Sequence, residues 1–224
     1  MSLSPTTTPE PRAKAPPQRR ALQARGRERV AVILKAAAEL IVSDGLPRLT
    51  MHGVALRSGT SIGSMYHFFP TIESVLEALV ETHRDALLEM GTALTAIDDA
   101  QWTAMSTLEV VDRLVGPFLG YLHRRRDALI IVTVGQWREI DDGFRELLRH
   151  VLALRLGPGR DEALTVAALT VHAVTAGSVQ MAAQLDEPLQ SACLAEIPTV
   201  LTAYLESLDA ALAPPAELTT RQHR

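Results

Sequence analysis

The sequence predicts an all-α fold, with a small N-terminal three-helix unit followed by a larger helical domain. From about residue 27 onward, apolar residues recur at spacings of three and four, the period of an amphipathic helix. Glycine and proline interrupt this period and so mark helix ends. Charge also divides the chain: residues 1–69 contain ten Lys and Arg against four Asp and Glu, a net charge of +6. Residues 70–224 contain twelve against twenty-two, a net charge of −10.

The composition is that of an ordinary soluble globular protein. Of the 224 residues, 47% are hydrophobic and 21% are charged, and the length permits a substantial core. The single cysteine, Cys193, excludes an intrachain disulfide and is consistent with a reducing compartment. The N-terminus lacks the apolar segment of a secretory signal. We therefore expect a cytoplasmic protein whose basic N-terminal third can approach a polyanion.

Residues 1–22 are predicted to be a disordered basic arm. They contain five of the thirteen prolines and show no apolar period. In the next segment, residues 23–70, the first helix is expected from about Arg27 to Asp44, with Gly45 in the left-handed conformation after it. The apolar stripe of this helix consists of Val30, Ile33, Leu34, Ala37, Leu40 and Ile41.

Two short helices follow in the same segment. The Thr50 hydroxyl is placed to cap a helix that ends at Arg57, and Gly59 supplies the turn after it. Ser61 can cap a third helix, which Pro70 ends. Two short helices that are joined by a glycine turn and packed on a longer helix form a helix-turn-helix.

Aromatic residues cluster at the end of the third helix, although aromatic residues make up only 4% of the chain. Met65 and Phe69 are four residues apart, so they share a face and are expected to fill the three-helix core. Tyr66 and His67 then point outward, where their polar ring atoms can reach a phosphate. Phe68 is expected to pack against whatever follows the helix.

The segment Ile33–Val80 resembles the DNA-binding domain of TetR/AcrR-family transcriptional regulators. The likeness covers the Ala-rich first helix, the cap and turn that follow it, and the end of the third helix. The matching residues are Asp44, Gly45, Thr50, Val54, Ala55, Gly59, Ser61, Gly63, Ser64, Met65, Tyr66, His67, Phe69, Pro70 and Glu73. The resemblance implies a homodimer, a recognition helix in the major groove of a double-stranded DNA operator, and a C-terminal domain that binds a small-molecule inducer.

Three positions depart from the family pattern. Gly53 stands where the family often has an acidic residue, so the capping box with Thr50 is broken. Ile62 and Ile72 stand where it often has lysine, so the chain lacks two usual phosphate-binding side chains. We expect the N-terminal arm to supply this positive charge, with its arginines along the phosphate backbone or in the adjacent minor groove.

The expected DNA contacts lie on the third helix, at the two caps, on the arm and just after the arm. A helix N-terminus with small residues permits close approach to DNA. The predicted contact residues are Thr50, Ser61, Ile62, Gly63, Ser64, Tyr66, His67, Arg19, Arg20, Arg25 and Arg27. Three alternatives stay open: Thr50 acts only as a cap, Tyr66 is a core aromatic residue, or Ile62 is a plain exposed apolar residue and touches no thymine methyl.

Residues 71–213 are predicted to be a helical domain for ligand binding and dimerisation, and residues 214–224 a flexible tail. The apolar period indicates a long first helix, a loop over residues 98–107 and further amphipathic helices. The segment over residues 127–137 is apolar on all sides, so we expect it to lie centrally.

Residues 163–185 contain no Asp, Glu, Lys or Arg. By length this segment could span a bilayer, but its Thr, Ser, Gln and His side chains would be costly there. We interpret it as a helix buried in protein and expect no membrane partner. Its predicted packing seam consists of Leu164, Ala168, Val171, Thr175, Ser178, Ala182 and Leu185. The helices over about residues 161–185 and 190–212 are together expected to form a four-helix homodimer interface.

Polar or aromatic side chains on otherwise apolar helices are the candidates for a ligand pocket. They are His83, Arg113, Phe118, Tyr121, Gln136, Trp137 and His172. In the alternative interpretation, each is a core residue whose hydrogen bonds are satisfied inside the protein. We expect a largely hydrophobic inducer that enters between the long first helix of this domain and the central helices.

Catalytic and metal-binding motifs are missing from the sequence. It contains neither a Gly-rich phosphate loop nor an HExxH motif, and none of its histidines has the Glu-x-x-His spacing of a di-iron bundle. We therefore predict no metal, no cofactor and no catalytic residues. Three classes remain: a DNA-binding repressor controlled by a ligand, a DNA-binding regulator controlled by a protein partner, and a helical enzyme with a degenerate N-terminal domain.

Overall fold

The fold is described from a computed structural model, which covers residues 17–134, 137–157 and 160–212. Within these ranges the regular secondary structure is entirely helical, as the sequence predicts. The helices are α1 (Pro17–Asp44), α2 (Met51–Ser58), α3 (Ile62–Phe68), α4 (Ile72–Thr95), α5 (Asp99–Ala104), α6 (Thr107–Arg124), α7 (Arg126–Ile131), α8 (Arg138–Leu156), α9 (Asp161–Ala182) and α10 (Leu189–Leu212).

Helix α1 begins at Pro17, earlier than the apolar period indicates. The expectation of disorder over residues 17–22 therefore differs from the structure, and residues 1–16 lie outside the described part of the chain. Proline is favoured in the first turn of a helix, and the Gln, Arg, Ala and Leu residues that follow are good helix formers. These residues carry no apolar stripe, which is why periodicity alone misses the first turns of α1.

Helices α1–α3 and the start of α4 enclose the N-terminal core. Ile33, Val54, Met65 and Val75 are fully buried in it, and Phe69 is 7% exposed. The predicted roles of Met65 and Phe69 as core residues are confirmed. The core fixes the register of α3, so the opposite face of that helix is left in solvent.

The predicted caps of the two short helices are present. The Thr50 hydroxyl accepts the N–H of Gly53 at 3.1 Å, and the Ser61 hydroxyl accepts that of Ser64 at 3.2 Å. A Cβ at Gly53 would lie 3.2 Å from the Thr50 hydroxyl oxygen, so glycine here leaves room for the cap. Gly59 adopts the expected left-handed conformation, with φ of 62° and ψ of 27°.

Gly45 also has a positive φ, of 82°, but its ψ is 156° and so the residue is not in the left-handed helical region. The difference arises because the chain continues directly into a 3-10 turn over Leu46–Arg48, which needs an extended entry. Glycine is suited to this conformation, which other residues rarely adopt.

The predicted loop over residues 98–107 contains a helix, α5, and this prediction is wrong. Asp98 and Gln101 form a reciprocal capping box, with hydrogen bonds of 2.8 and 3.4 Å between side chain and backbone. Trp102 is 1% exposed and packs in the core of the C-terminal domain. Burial of one large indole stabilises a helix too short to be stable by itself.

Helix α7 links the two domains. The apolar segment expected over residues 127–137 is split, because α7 ends at Ile131 and α8 begins at Arg138. Ile131 is fully buried in the N-terminal core, whereas Ala128 and Leu129 are buried in the C-terminal core. The segment is central, as expected, and joins the two cores.

The predicted seam of α9 packs mainly inside the subunit. Leu164, Ala168, Val171, Thr175 and Ala182 are buried, and α9 contacts α8 and α10. Its opposite face carries a second, exposed apolar stripe, which consists of Val166, Leu169, Ala173, Ala176 and Met181. From residue 163 onward α9 has no charged residue, so a period of 3.6 residues fits either face, and the sequence does not distinguish the internal seam from a surface one.

Within the described residues, α9 is also the one helix long and apolar enough to cross a membrane by length and composition. The core helix of a soluble protein passes the same test, so this is weak evidence for a membrane.

Candidate functional site

The outer face of α3 and its cap form an accessible polar surface. Tyr66 is 54% exposed, His67 is exposed, and Ile62 is 36% exposed. Ser61 and Gly63 are exposed at the N-terminus of α3, and Ser64 is half-buried there. Thr50 is exposed at the start of α2. The structure thus brings the predicted α3 residues to one side of the N-terminal domain, while Phe68 packs against the core behind them.

Positive charge beside this surface is sparse. Arg57 is bound to Glu39 on α1, at 3.4 Å between Nη1 and Oε2, which offsets much of its charge. Arg48 is exposed in the 3-10 turn, and Arg25 and Arg27 are exposed on α1. Arg19 and Arg20 belong to the first turns of α1, but their side chains lie outside the described ones.

A cavity of about 460 Å³ lies in the C-terminal domain. Its size falls within the range typical of small-molecule sites. The walls come from α4, α6, α8 and α9 and from the segment after α7. The lining includes Leu87, Met90, Thr92, Thr95, Phe118, Thr133, Trp137, Asp141, Phe144, His172, Thr175 and Gln180.

The predicted ligand residues divide into three groups. Phe118, Trp137 and His172 line the cavity. His83 and Tyr121 are buried but lie outside its lining, and Arg113 is exposed elsewhere on α6. Gln136 lies outside the described residues. A polar residue on an apolar helix indicates that a partner exists, but it does not tell whether the partner is a ligand or another side chain.

For His83 and Tyr121 the partners are side chains. The His83 ring is fully buried on α4, with Nε2 3.0 Å from Oδ2 of Asp127 and Nδ1 2.5 Å from the Tyr121 hydroxyl. Because a carboxylate only accepts, Nε2 carries the proton that it donates to Asp127. Arg125 gives Asp127 two further hydrogen bonds, of 3.0 and 2.8 Å. We call these four residues the α4 anchor.

The electrostatics of the α4 anchor keep the carboxylate charged. Burial alone would raise the pKa of Asp127, but the hydrogen bonds from His83 and Arg125 outweigh it and hold the pKa well below its usual range. Burial raises the pKa of the Tyr121 phenol, so this group stays protonated at neutral pH. The anchor therefore ties the middle of α4 to α6 and α7 through a buried charge.

Asp141, which no pattern in the sequence singles out, provides the cavity with a carboxylate. Its Oδ1 lies 3.8 Å from Nε2 of His172. Burial lowers the pKa of His172. The negative charge of Asp141 raises this pKa, and the positive charge of Arg145 lowers it. At neutral pH the ring is therefore uncharged. The sequence gives no clear sign of this role, because Asp141 belongs to a run of charged residues at the start of α8. The sequence does not tell which of these residues faces the cavity.

Trp137 contacts both domains. Its ring lines the cavity and also packs against the N-terminal core. Its indole N–H donates to the Val132 carbonyl at 2.9 Å, and the Arg84 guanidinium lies 5.7 Å from the ring centroid. Because these contacts hold the ring from several sides, a molecule that displaced it would disturb the contact between the domains.

Comparisons with known proteins match the N-terminal domain to one family. The model of bacterial regulatory proteins of the tetR family matches residues 33–79, which include α2 and α3. An uncharacterized HTH-type transcriptional regulator of Mycobacterium bovis is 28% identical over 178 residues. The alignment covers 77% of this chain and 92% of that relative.

Solved structures share the fold over most of the chain. A TetR-family transcriptional regulator from Streptomyces coelicolor aligns with a TM-score of 0.52 at 24% identity, covering 80% of this chain and 98% of that one. The multidrug binding protein EbrR, complexed with malachite green, aligns with a TM-score of 0.52 at 18% identity. That alignment covers 84% of this chain and 99% of the other. At these identities the likeness shows the fold.

Proposed function

We propose that the chain, a TetR-family transcriptional regulator that binds DNA, is a repressor that is released from its operator by a small, largely hydrophobic ligand. The observation that carries the proposal is the path of α4. Its first half packs in the N-terminal core through Val75 and Leu79, and its second half lines the cavity through Leu87 and Met90. One rigid helix therefore connects the DNA-binding domain with the ligand cavity.

The outer face of α3 is the proposed recognition surface. A helix of this kind enters the major groove with its N-terminal residues towards the bases. The small residues Ser61, Gly63 and Ser64 permit close approach, and Tyr66 and His67 can donate to phosphate or base edges. Thr50 is used as a cap in the free protein, yet its hydroxyl is exposed and can donate to a phosphate.

Replacing Tyr66 with phenylalanine should weaken operator binding by about 1 kcal/mol, the value of one lost hydrogen bond. The fold should be unaffected, because the Tyr66 ring is 54% exposed. Fluorescence anisotropy with a labelled operator, found by selecting bound fragments of the native genome, gives the affinity. Tyr204→Phe on α10 is the matched control and should bind as the wild type does. Equal affinities for all three proteins would exclude a hydrogen bond from Tyr66.

Ligand binding is proposed to reach the DNA through α4 and Trp137. A molecule that fills the cavity presses on the second half of α4 and on the Trp137 ring. The α4 anchor holds the helix at His83. Displacement of the second half of α4 is therefore expected to tilt the whole helix about His83. In a dimer this changes the distance between the two recognition helices, which must match half-sites about 34–36 Å apart. Operator affinity then falls because the ligand favours the mismatched arrangement.

The test of ligand control uses compounds that raise the melting temperature of the protein, since any ligand of the folded state does so. Operator affinity is then measured with and without each compound. The proposal requires that a compound bound in the cavity lowers operator affinity. Compounds that stabilise the protein and leave operator affinity unchanged would contradict it.

The exposed stripe of α9 is proposed as part of a homodimer interface with α10. Leu169 is 50% exposed and Val166 is 54% exposed, and both belong to one continuous apolar stripe on α9. Leu169→Glu should convert the dimer to a monomer, because an unpaired carboxylate is costly in an apolar interface. Leu108→Glu on α6, where the leucine is 53% exposed, is the control. Size-exclusion chromatography with light scattering gives the mass, and a dimeric Leu169→Glu variant would place the interface elsewhere.

A further inference from the structure

The ligand cavity carries a net negative charge. Among its described lining residues, Asp141 is the one with a formal charge at neutral pH, and neither lysine nor arginine lines the cavity. Its neighbour at 3.8 Å is the His172 ring, which is uncharged at neutral pH. Arg145, whose charge acts on that ring, is bound to Asp142, and neither residue lines the cavity. The charge of Asp141 is therefore left for whatever fills the cavity.

The cavity is also poor in hydrogen-bond donors. The indole N–H of Trp137 is taken by the Val132 carbonyl. The four hydroxyl groups in the lining all donate to backbone carbonyls of their own segments. These bonds are Thr92 to Leu88, Thr95 to Thr92, Thr133 to Ile130 and Thr175 to Val171, at 2.7 to 3.0 Å. What the hydroxyls offer to a ligand is the oxygen lone pair, an acceptor.

Donors that remain are few. A neutral His172 has one ring N–H, and Gln180 has a side-chain amide on an exposed part of α9. An anionic head group would meet the Asp141 carboxylate and lone pairs of threonine oxygens, which repel it. A cationic head group with N–H bonds would meet an opposite charge and several acceptors.

We propose that the cavity binds a lipophilic amine that is protonated at neutral pH, with its ammonium group at Asp141. This inference rests on the proposed function and names the chemical class of the ligand. The apolar body of the amine would lie among Leu87, Met90 and Phe118, and the Phe144 ring, 6.2 Å from that of His172, lies beside the polar end. An aromatic face near the head group adds attraction for a cation.

Three probes of equal length and different head group test this class: decylammonium, decanol and decanoate. Calorimetric titration into the full-length protein is expected to give the order decylammonium, then decanol, then decanoate. In Asp141→Asn the affinity for decylammonium should fall about fivefold, as expected for a partly exposed ion pair, and that for decanol should be unchanged. Asp142→Asn is the matched control, since it removes the same charge from the next residue, outside the lining.

The outcomes separate this inference from the proposed function. A preference for decylammonium that Asp141→Asn removes and Asp142→Asn retains supports the inference. Equal binding of the three probes, a preference for decanoate on the N-terminal amides of α8, or no binding of decylammonium at millimolar concentration overturns it. Release of the operator is measured separately. If decanoate or decanol binds more tightly than decylammonium and releases the operator, ligand control stands and the proposed class is wrong. If decylammonium binds with an affinity that Asp141→Asn lowers, and yet leaves the operator in place, ligand control fails.

Discussion

Replacing Asp127 with alanine is expected to lower the free energy of unfolding by about 3 kcal/mol, near the low end for breaking a buried ion pair. The substitution leaves the fully buried His83 ring and the Arg125 guanidinium without their shared acceptor. The low end applies because the Arg125 side chain is 38% exposed, so water replaces part of the bond it loses.

Urea unfolding followed by circular dichroism gives the free energy of unfolding for each variant. Asp127→Asn keeps the volume of the side chain and removes its charge, so it separates the ion pair from the small cavity that alanine creates. The control is Glu146→Gln, which breaks an exposed pair with Arg149 and should change stability by at most about 0.5 kcal/mol. If Asp127→Ala were no more harmful than Glu146→Gln, the α4 anchor would not stabilise the fold.

The Asp127 carboxylate also affects how the free energy of unfolding depends on pH in the acid range. Its pKa is lowered in the folded protein from an ordinary value of 3.8. An acid with a depressed pKa contributes its full stabilisation above the pKa of the unfolded chain, and the contribution is lost as the pH falls towards the folded value. The difference in stability between the wild type and Asp127→Asn should therefore be constant above about pH 5 and shrink below about pH 4.

Local features of the N-terminal domain could be predicted from the sequence because each depends on a few neighbouring residues. The caps at Thr50 and Ser61 need only a hydroxyl three residues before an N–H, and the turn at Gly59 needs only a residue without Cβ. The core positions of Met65 and Phe69 follow from helical period. The same reasoning failed at α5, because the helix depends on burial of Trp102 by distant helices.

The C-terminal sites could be predicted only in part, because their partners are far apart in the chain. His83 and Asp127 are 44 residues apart, and no local pattern indicates that they meet. The sequence singled out both His83 and His172, and only contacts between helices show that the first has protein partners and the second faces a cavity. Asp141 could not be predicted because it lies in a run of charged residues at the start of α8, and no local pattern distinguishes it from them.

Deleting residues 1–22 is expected to weaken operator binding strongly and to reduce its dependence on salt. The deletion removes four cations per subunit, namely Arg12, Lys14, Arg19 and Arg20. Each lost phosphate contact lowers the slope of log affinity against log salt by about 0.9, so loss of all eight contacts of a dimer would lower it by about seven. The structure supports a role for these cations, because other positive charge near the recognition surface is scarce. Ile62 and Ile72 supply no charge, Arg57 is bound to Glu39, and residues 70–224 have a net charge of −10.

The measurement is operator affinity at several salt concentrations for the full-length and truncated proteins. A full-length variant with the four cations replaced by glutamine separates charge from chain length, and its line should coincide with that of the truncated protein. Deletion of residues 214–224 is the control for removing a terminus and should leave the slope unchanged. Because phosphate contacts do not depend on sequence, the arm deletion should weaken binding to operator and to unrelated DNA alike. If the plots of log affinity against log salt coincide for the full-length and truncated proteins, the arm does not contact DNA. The phosphate contacts would then have to come from Arg48 and from Arg25 and Arg27 on α1.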